Sequence, residues 1–434
     1  MQHLQKTRGW GIDPLPYAID VRTFKPADAP RCFRPIPFAF RFLRTPLHNG
    51  LLPTLFLSIV SALFWSRRRV HPLSAWYTLK DLPNARDRIL VSYEGPMRRR
   101  LIRIALILLL FPPLLSAVAG WLAGPAFLHP IRRELTASLI READASFAFT
   151  GATRDDFDVR APDGALLRGW KVRPKNPNGN WVLLFHGVAD NRVGIIGQSE
   201  FLLRAGYSVV MMDARAHGAS GGPIATYGWL ERNDTRAIID ALLSSEHVGA
   251  GLAPPAFSFV SFTSSTSSTS STSLTSSFHI FALGESMGAG IVLQAAAADP
   301  RIEAVVAEAP FANLREAAYD YAGLRKYPWL GKTLLSPFSW TLLYRGEKLA
   351  GLPVAEVSPV KAVASRAFPV LLICDEKDEA LPCRHSEMIY AAARGPKQLW
   401  VVPGAFHTAA YGFAPEEFRR RVLSFFAANS RVAP

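Results

Sequence analysis

The sequence predicts an α/β fold in which a mostly parallel sheet is flanked by helices and preceded by an N-terminal transmembrane helix. Apolar runs typical of buried strands recur between residues 181 and 402. One of them leads through a G-x-S-x-G pentapeptide at 284–288 into an Ala- and Gly-rich helix. An uncharged apolar stretch covers residues 104–128. These three observations predict the fold class.

Ser286 lies in a context that favours a nucleophile. The run 278–283 before the pentapeptide predicts a buried strand, and residues 289–298 after it predict a helix. A sharp turn between them would lift the serine hydroxyl out of the backbone, and small neighbours would allow strand and helix to pack closely. An incidental tight turn is the alternative interpretation of the same pentapeptide.

A cluster of carboxylates at 375–379 follows the predicted strand 368–374. Functional groups of open α/β sheets gather at the carboxyl ends of the strands, so one of these carboxylates is expected to act as the catalytic acid. We predict Asp378, with Asp375 and Glu376 as alternatives.

His407 lies in the small-residue loop after the next predicted strand, residues 397–402. Its imidazole would take the proton of Ser286 and return it to the leaving group, and Asp378 would stabilise the imidazolium. An exposed loop histidine without a catalytic role is the alternative.

From about Asp156 to Ala427 the chain resembles the α/β-hydrolase superfamily. It is most similar to bacterial serine hydrolases related to dipeptidyl aminopeptidases and acylaminoacyl peptidases. The stretches that carry the resemblance are Leu184-Phe185-His186-Gly187, Asp213-Ala214-Arg215-Ala216-His217-Gly218-Ala219-Ser220-Gly221-Gly222, Thr226-Tyr227-Gly228-Trp229-Leu230-Glu231, Gly284-Glu285-Ser286-Met287-Gly288-Ala289, Glu308-Ala309-Pro310-Phe311 and Gly404-Ala405-Phe406-His407.

The resemblance implies an eight-stranded sheet and a nucleophile, acid and base in the order found here. It implies an oxyanion hole formed by the backbone N–H groups of Val188 and Met287. It also implies a structural role for the loop 213–222. In such families the acid commonly follows a Gly-x-x-Asp pattern, whereas here Asp375 replaces the glycine.

The charge is unevenly distributed along the chain. The net charge is +14, and residues 1–103 hold 18 Lys and Arg against 6 Asp and Glu. The rest is near neutral, so we expect no nucleic-acid partner. Neither a zinc-ligand spacing nor a phosphate-binding loop motif occurs, so we expect no metal and no cofactor. A bridge between Cys374 and Cys383 would require an oxidising compartment; a buried free thiol is the alternative.

Residues 97–130 predict a membrane anchor or signal segment. The uncharged part, 104–128, is long enough to cross about 30 Å of hydrocarbon as a helix, with a kink expected at Pro112-Pro113. The arginines at 98–100 and 103 precede it, so the positive-inside rule predicts a single pass with the following domain on the extracytoplasmic side. The alternative is a signal cleaved after Ala119, which would export the domain.

Three further segments are assigned from composition. Residues 1–96 form an irregular basic extension, which we interpret as a misassigned start upstream of Met97 or as a genuine cytoplasmic extension. Within the predicted hydrolase domain, 150–430, residues 258–277 are a Ser/Thr-rich insertion expected to form a surface loop. The aromatic-rich residues 312–366 predict an apolar cap over the serine, with ordinary helical packing as the alternative.

The function predicted from these features is a serine hydrolase that cleaves carboxylic esters through an acyl-enzyme, with a small-molecule substrate. A peptidase acting on short or acylated peptides would use the same residues, with Glu308 or Glu316 as a possible acidic group for the peptide terminus. A catalytically inactive, membrane-tethered binding module is the third alternative. No feature indicates an oligomeric state.

Overall fold

The computed structural model describes residues 85–249 and 279–430, with side chains for 97–246 and 279–430. The Ser/Thr-rich insertion and most of the N-terminal extension therefore lie outside the described residues. The strands and helices below are those of the two described ranges.

Eight strands form one sheet in the order β1-β2-β4-β3-β5-β6-β7-β8. β1 and β2 pair antiparallel, as do β2 and β4, and every other neighbouring pair is parallel. The carboxyl ends of β3 and β5 to β8 consequently meet at one edge of the sheet. The strands are β1 Thr153–Arg160, β2 Leu166–Arg173, β3 Trp181–Phe185, β4 Ser208–Met212, β5 Ile280–Glu285, β6 Ile302–Glu308, β7 Val370–Asp375 and β8 Lys397–Val402.

Helices cover both faces of the sheet because the central strands are apolar on both sides. Leu183 of β3 belongs to one core cluster, whereas its neighbours Val182 and Leu184 belong to the cluster on the opposite face. The helices are α1 Ala85–Leu128, α2 Ala137–Thr150, α3 Ile196–Arg204, α4 Glu231–Gly249, α5 Met287–Ala298, α6 Leu314–Ala322, α7 Pro328–Lys332, α8 Ser336–Ala350, α9 Pro359–Ser365, α10 Arg384–Ala392, α11 Ala410–Phe413 and α12 Pro415–Asn429.

The strands after residue 180 lie close to the positions that the sequence predicts. The hairpin β1–β2 was not predicted, although Asp163-Gly164 is a turn dipeptide and Gly164 adopts a φ of 88°. Its strands alternate polar and apolar residues only weakly, because β1 is the edge strand and buries few side chains.

The apolar helix α1 differs from its prediction at the N-terminal end. It begins at Ala85 rather than near Met97, and it continues without interruption through Pro112-Pro113. Extending an existing helix needs no new nucleus, which accounts for the helical residues before the apolar stretch. Within the described ranges, Met97–Leu128 is the one helical segment that is long and apolar enough to cross a membrane.

Candidate active site

Ser286 occupies the turn between β5 and α5 in a strained backbone conformation. Its φ is 51° and its ψ is −113°, a backbone conformation that residues other than glycine rarely adopt. The turn is tight enough that a Cβ on Gly288 would lie 2.2 Å from the carbonyl oxygen of Phe185. Strand, turn and helix therefore hold the Ser286 hydroxyl at the carboxyl edge of the sheet, as the sequence predicts.

A continuous chain of hydrogen bonds joins the three predicted catalytic residues. The Ser286 hydroxyl lies 2.9 Å from Nε2 of His407, and Nδ1 of His407 lies 2.6 Å from Oδ2 of Asp378. With a proton on Nδ1, the imidazole donates to Asp378 and accepts from Ser286, which is the tautomer that general-base catalysis requires.

Asp378 is the carboxylate that contacts His407, although three others lie within the same loop. Its second oxygen, Oδ1, accepts from the backbone N–H groups of Ala380 and Leu381, at 2.7 and 2.8 Å. These bonds fix the carboxylate and leave Oδ2 free for the imidazole.

The two alternative acids brace the histidine loop instead. Asp375 accepts from the N–H of Thr408 at 2.8 Å, and Glu376 accepts from the N–H of Gly404 at 2.8 Å. Neither has a hydrogen bond to the imidazole of His407. The missing glycine of the family pattern is thus replaced by an aspartate that holds the backbone directly after His407.

The two predicted oxyanion donors lie beside Ser286. Met287 is the first residue of α5, and Val188 lies in the loop after β3; both line the same pocket as Ser286. A Cβ on Gly187 would lie 3.6 Å from the Cβ of Ser286, so this loop passes directly over the nucleophile. Their role as oxyanion donors stays a prediction.

Three buried carboxyl groups lie behind the nucleophile, which the sequence did not reveal as a cluster. Burial raises the pKa of Glu285 to about 8, that of Asp375 to about 7 and that of Glu308 well above its usual value, and neighbouring carboxylates add to each shift. Gln198 donates to Glu285, and the N–H of Ala410 donates to Glu308 at 2.9 Å. The folded protein therefore favours the protonated form of all three acids.

The loop 213–222 has the structural role that the resemblance implies. Arg215 forms a buried ion pair with Asp234 at 2.6 Å and a second one with Asp163 at 2.8 Å. His186, which precedes the oxyanion loop, accepts from the N–H of Ala214 at 3.1 Å, and burial lowers its pKa to about 4. A neutral, buried His186 braces the loop and is not placed for proton transfer.

Cys374 and Cys383 form a disulfide, with their Cα atoms 5.4 Å apart. The bond joins the end of β7 to the start of α10 and encloses the loop that carries Asp378. The sequence left a bridge and a free thiol open, and the structure has the bridge.

An apolar pocket of about 460 Å³ opens onto Ser286, within the size range of small-molecule sites. Part of its lining comes from the predicted cap, in particular Ala318 of α6 and Leu342 of α8. Another part comes from α1, and the sequence did not predict this contribution. The G-x-x-x-G spacing of Gly120 and Gly124 was a signal for a helix contact there.

The acidic groups considered for a peptide terminus are already engaged. Glu316 pairs with Lys332 at 2.8 Å and Arg384 at 2.7 Å, and Glu308 is fully buried behind the nucleophile. Among the described residues, no group of three or more His, Cys, Asp or Glu side chains is arranged to hold a metal ion.

Comparison with known proteins agrees with this architecture. A family model described as the alpha/beta hydrolase fold matches residues 180–340. The uncharacterized protein YqkD of Bacillus subtilis is 27% identical over 331 residues, which cover 74% of this chain and 96% of that protein. The uncharacterized protein YfhR of Escherichia coli K12 is 25% identical over 263 residues, 59% of this chain and 74% of that protein.

Among solved structures, an esterase from Pyrococcus furiosus aligns with a TM-score of 0.50 at 22% identity, covering 69% of this chain and 99% of that one. A likeness at this identity shows the fold. The family match over residues 180–340 and the eight-stranded sheet together confirm the predicted α/β-hydrolase fold and the resemblance to that superfamily, and they support a hydrolase.

Proposed function

We propose that this α/β-hydrolase is a serine hydrolase that cleaves carboxylic esters through an acyl-enzyme intermediate. The observation that carries the proposal is the hydrogen-bond chain from Ser286 through His407 to Asp378. A nucleophile, a base and an orienting acid in contact are the parts that acyl transfer requires.

The reaction follows from this arrangement in two halves. His407 removes the proton from Ser286 as its Oγ attacks the ester carbonyl, and the N–H groups of Val188 and Met287 stabilise the oxyanion. The imidazolium, stabilised by Asp378, then protonates the leaving alcohol. In the second half, His407 activates a water that attacks the acyl-enzyme and restores the Ser286 hydroxyl.

The surroundings of the serine favour esters over peptides. The pocket beside Ser286 is predominantly apolar. Glu316 is neutralised by Lys332 and Arg384, so it offers no free carboxylate to a peptide amino group. Apolar acyl groups fit such a pocket better than a charged terminus does.

We further propose that α1 remains attached as a single-pass anchor and that the catalytic domain lies on the extracytoplasmic side. Cleavage after Ala119 would remove Ser116, whose hydroxyl accepts from the N–H of Phe338 in α8 at 3.1 Å. The basic residues before the apolar stretch support the orientation. The bond between Cys374 and Cys383 also supports it, because disulfides persist in oxidising compartments.

Turnover of p-nitrophenyl acetate tests the proposed chemistry. Ser286→Ala should lower kcat by about 10⁴-fold or more, because the three residues act as a unit. Ser365→Ala, which removes an exposed hydroxyl from α9, is the matched control and should have wild-type turnover. Near wild-type turnover by Ser286→Ala would contradict the proposal.

A further inference from the structure

The pocket beside Ser286 has walls from three parts of the chain. Ser286 and Met287 form its base, Ala318 and Leu342 of the cap form one side, and Ala123 and Phe127 of α1 form another. The helix with the length and composition of a membrane span is thus in direct contact with the substrate pocket.

The C-terminal end of α1 is fixed to the hydrolase domain at this point. The hydroxyl of Tyr227 donates to the carbonyl of Phe127 at 2.7 Å, and the two rings stack with centroids 4.8 Å apart. One residue later, the carbonyl of Leu128 accepts from the N–H of Ala225 at 2.9 Å. These bonds hold the α1 wall in register with the nucleophile.

Farther from the active site, α1 packs closely against the cap helix α8. Gly120 and Gly124 face α8, and a Cβ on Gly120 would lie 2.1 Å from the carbonyl oxygen of Phe338. The Thr341 hydroxyl donates to the carbonyl of Ala117 at 2.7 Å. Small residues four apart with hydrogen bonds between helices are typical of helix pairs in membranes.

The outer surface of this helix pair has the composition of a membrane interface. Trp121, Trp340 and Tyr344 are 46%, 66% and 49% exposed. Arg345 lies over the Trp121 ring at 4.9 Å, and Lys348 lies over the Tyr344 ring at 5.5 Å. Tryptophan and tyrosine with adjacent cations mark the depth of the lipid headgroups.

We propose that the substrate is an acyl ester dissolved in the membrane, and that its acyl chain lies in the pocket between α1 and the cap. This inference rests on the proposed ester hydrolase function and names its substrate class. The α1 wall of the pocket and the exposed aromatic surface of α8 belong to one helix pair, which brings the pocket close to the proposed membrane surface. The acyl group transfers to Ser286, the alcohol leaves with the proton from His407, and water then releases the fatty acid.

The dependence of hydrolysis on chain length tests the occupant of the pocket. With p-nitrophenyl acetate, octanoate and dodecanoate, each methylene taken from water should raise kcat/KM by about threefold to fourfold until the pocket is full. We expect dodecanoate to exceed acetate by at least about 100-fold on the same scale. Equal values for the two esters, or a preference for acetate, would overturn the inference while leaving the proposed function intact.

Substitutions in the pocket test the contribution of α1. Ala123→Trp should lower the ratio of dodecanoate to acetate kcat/KM by at least about tenfold, because the indole occupies the volume of the acyl chain. Leu122→Trp adds the same side chain to an exposed position on the same helix and should leave the ratio unchanged. Ala318→Trp fills the opposite wall and should match Ala123→Trp, which keeps the test valid if one variant misfolds. Equal ratios in all three variants would overturn the inference.

A vesicle assay tests the membrane origin of the substrate. The quantity measured is the turnover of 4-methylumbelliferyl dodecanoate in phosphatidylcholine vesicles divided by the turnover of p-nitrophenyl acetate in solution. Trp340→Asp should lower this ratio at least about tenfold, since a charge at the interface opposes binding of α8 to the membrane. Phe149→Asp changes an exposed aromatic on α2 and should leave this ratio at the wild-type value. A ratio for Trp340→Asp as high as that for Phe149→Asp would contradict entry of the substrate from the membrane. If no ester is hydrolysed, the proposed function itself fails.

Discussion

Gly120 of α1 lies against the carbonyl group of Phe338 in α8, close enough that a Cβ would come within 2.1 Å of the oxygen. The Ser116 hydroxyl accepts from the Phe338 N–H one helical turn earlier, at 3.1 Å. The apolar helix α1 is therefore packed directly on the hydrolase domain through α8.

Gly120→Leu should destabilise the protein because the new side chain forces the two helices apart. Overpacking of this kind costs about 1–3 kcal/mol, which corresponds to a fall in Tm of several degrees. Val118→Leu enlarges an exposed side chain two residues away and should leave Tm unchanged. Thermal unfolding in detergent measures both; a wild-type Tm for Gly120→Leu would contradict the packing of α1 on α8.

Asp378→Asn should lower kcat more than about 10²-fold, because the imidazole of His407 loses the group that holds its tautomer. Asp375→Asn and Glu376→Gln should have much smaller effects, since each accepts from a backbone N–H of the histidine loop and neither is hydrogen-bonded to the imidazole. Steady-state ester kinetics rank the three variants. A larger loss in Asp375→Asn than in Asp378→Asn would move the acid to Asp375.

The free energy of unfolding should fall as the pH rises from 6.5 to 8.5. The pKa of Glu285 is raised from 4.5 to about 8 in the folded state. Its contribution to the free energy of unfolding is therefore complete below about pH 4.5 and is lost as the pH rises through 8. Asp375, with a pKa near 7, acts in the same direction. His186 and His217 have lowered pKa values, so they change the free energy of unfolding only below pH 6.5, outside this range.

Urea unfolding of Glu285→Gln tests this prediction. The variant should show a smaller loss of stability between the two pH values than the wild type, because its side chain cannot ionise. Glu142→Gln changes an exposed carboxylate on α2 and should reproduce the wild-type dependence. The same pH dependence in all three proteins would show that Glu285 does not hold its proton.

Loss of the disulfide should destabilise the loop that carries Asp378. The bond closes a sequence separation of nine residues, for which the chain-entropy model gives about 2–3 kcal/mol. Cys383→Ala should therefore unfold at lower urea concentration, and its kcat should fall more than its KM changes. Dithiothreitol should shift the wild type toward the variant; an insensitive wild type would show that the bond is absent in solution.

The extent to which the sequence predicts the site depends on how local each signal is. Ser286, Asp378 and His407 each follow an apolar strand, so strand, turn and side chain could be recognised from one short stretch. Asp375 remained an alternative catalytic acid in the sequence analysis because its contact with Thr408 depends on how two loops pack. The position of Glu308 beside Glu285 and the place of Ala123 in the pocket depend on long-range packing, for which a single sequence gives no direct signal.

Covalent labelling with a fluorophosphonate tests whether Ser286 is the nucleophile, because an activated serine attacks the phosphorus of the reagent and displaces fluoride. We expect one stoichiometric adduct on Ser286, identified by peptide mass spectrometry, and a parallel loss of ester turnover. The adduct should be absent in Ser286→Ala and form far more slowly in His407→Ala. Stoichiometric labelling of another residue, or unimpaired ester turnover in a fully labelled protein, would contradict Ser286 as the nucleophile.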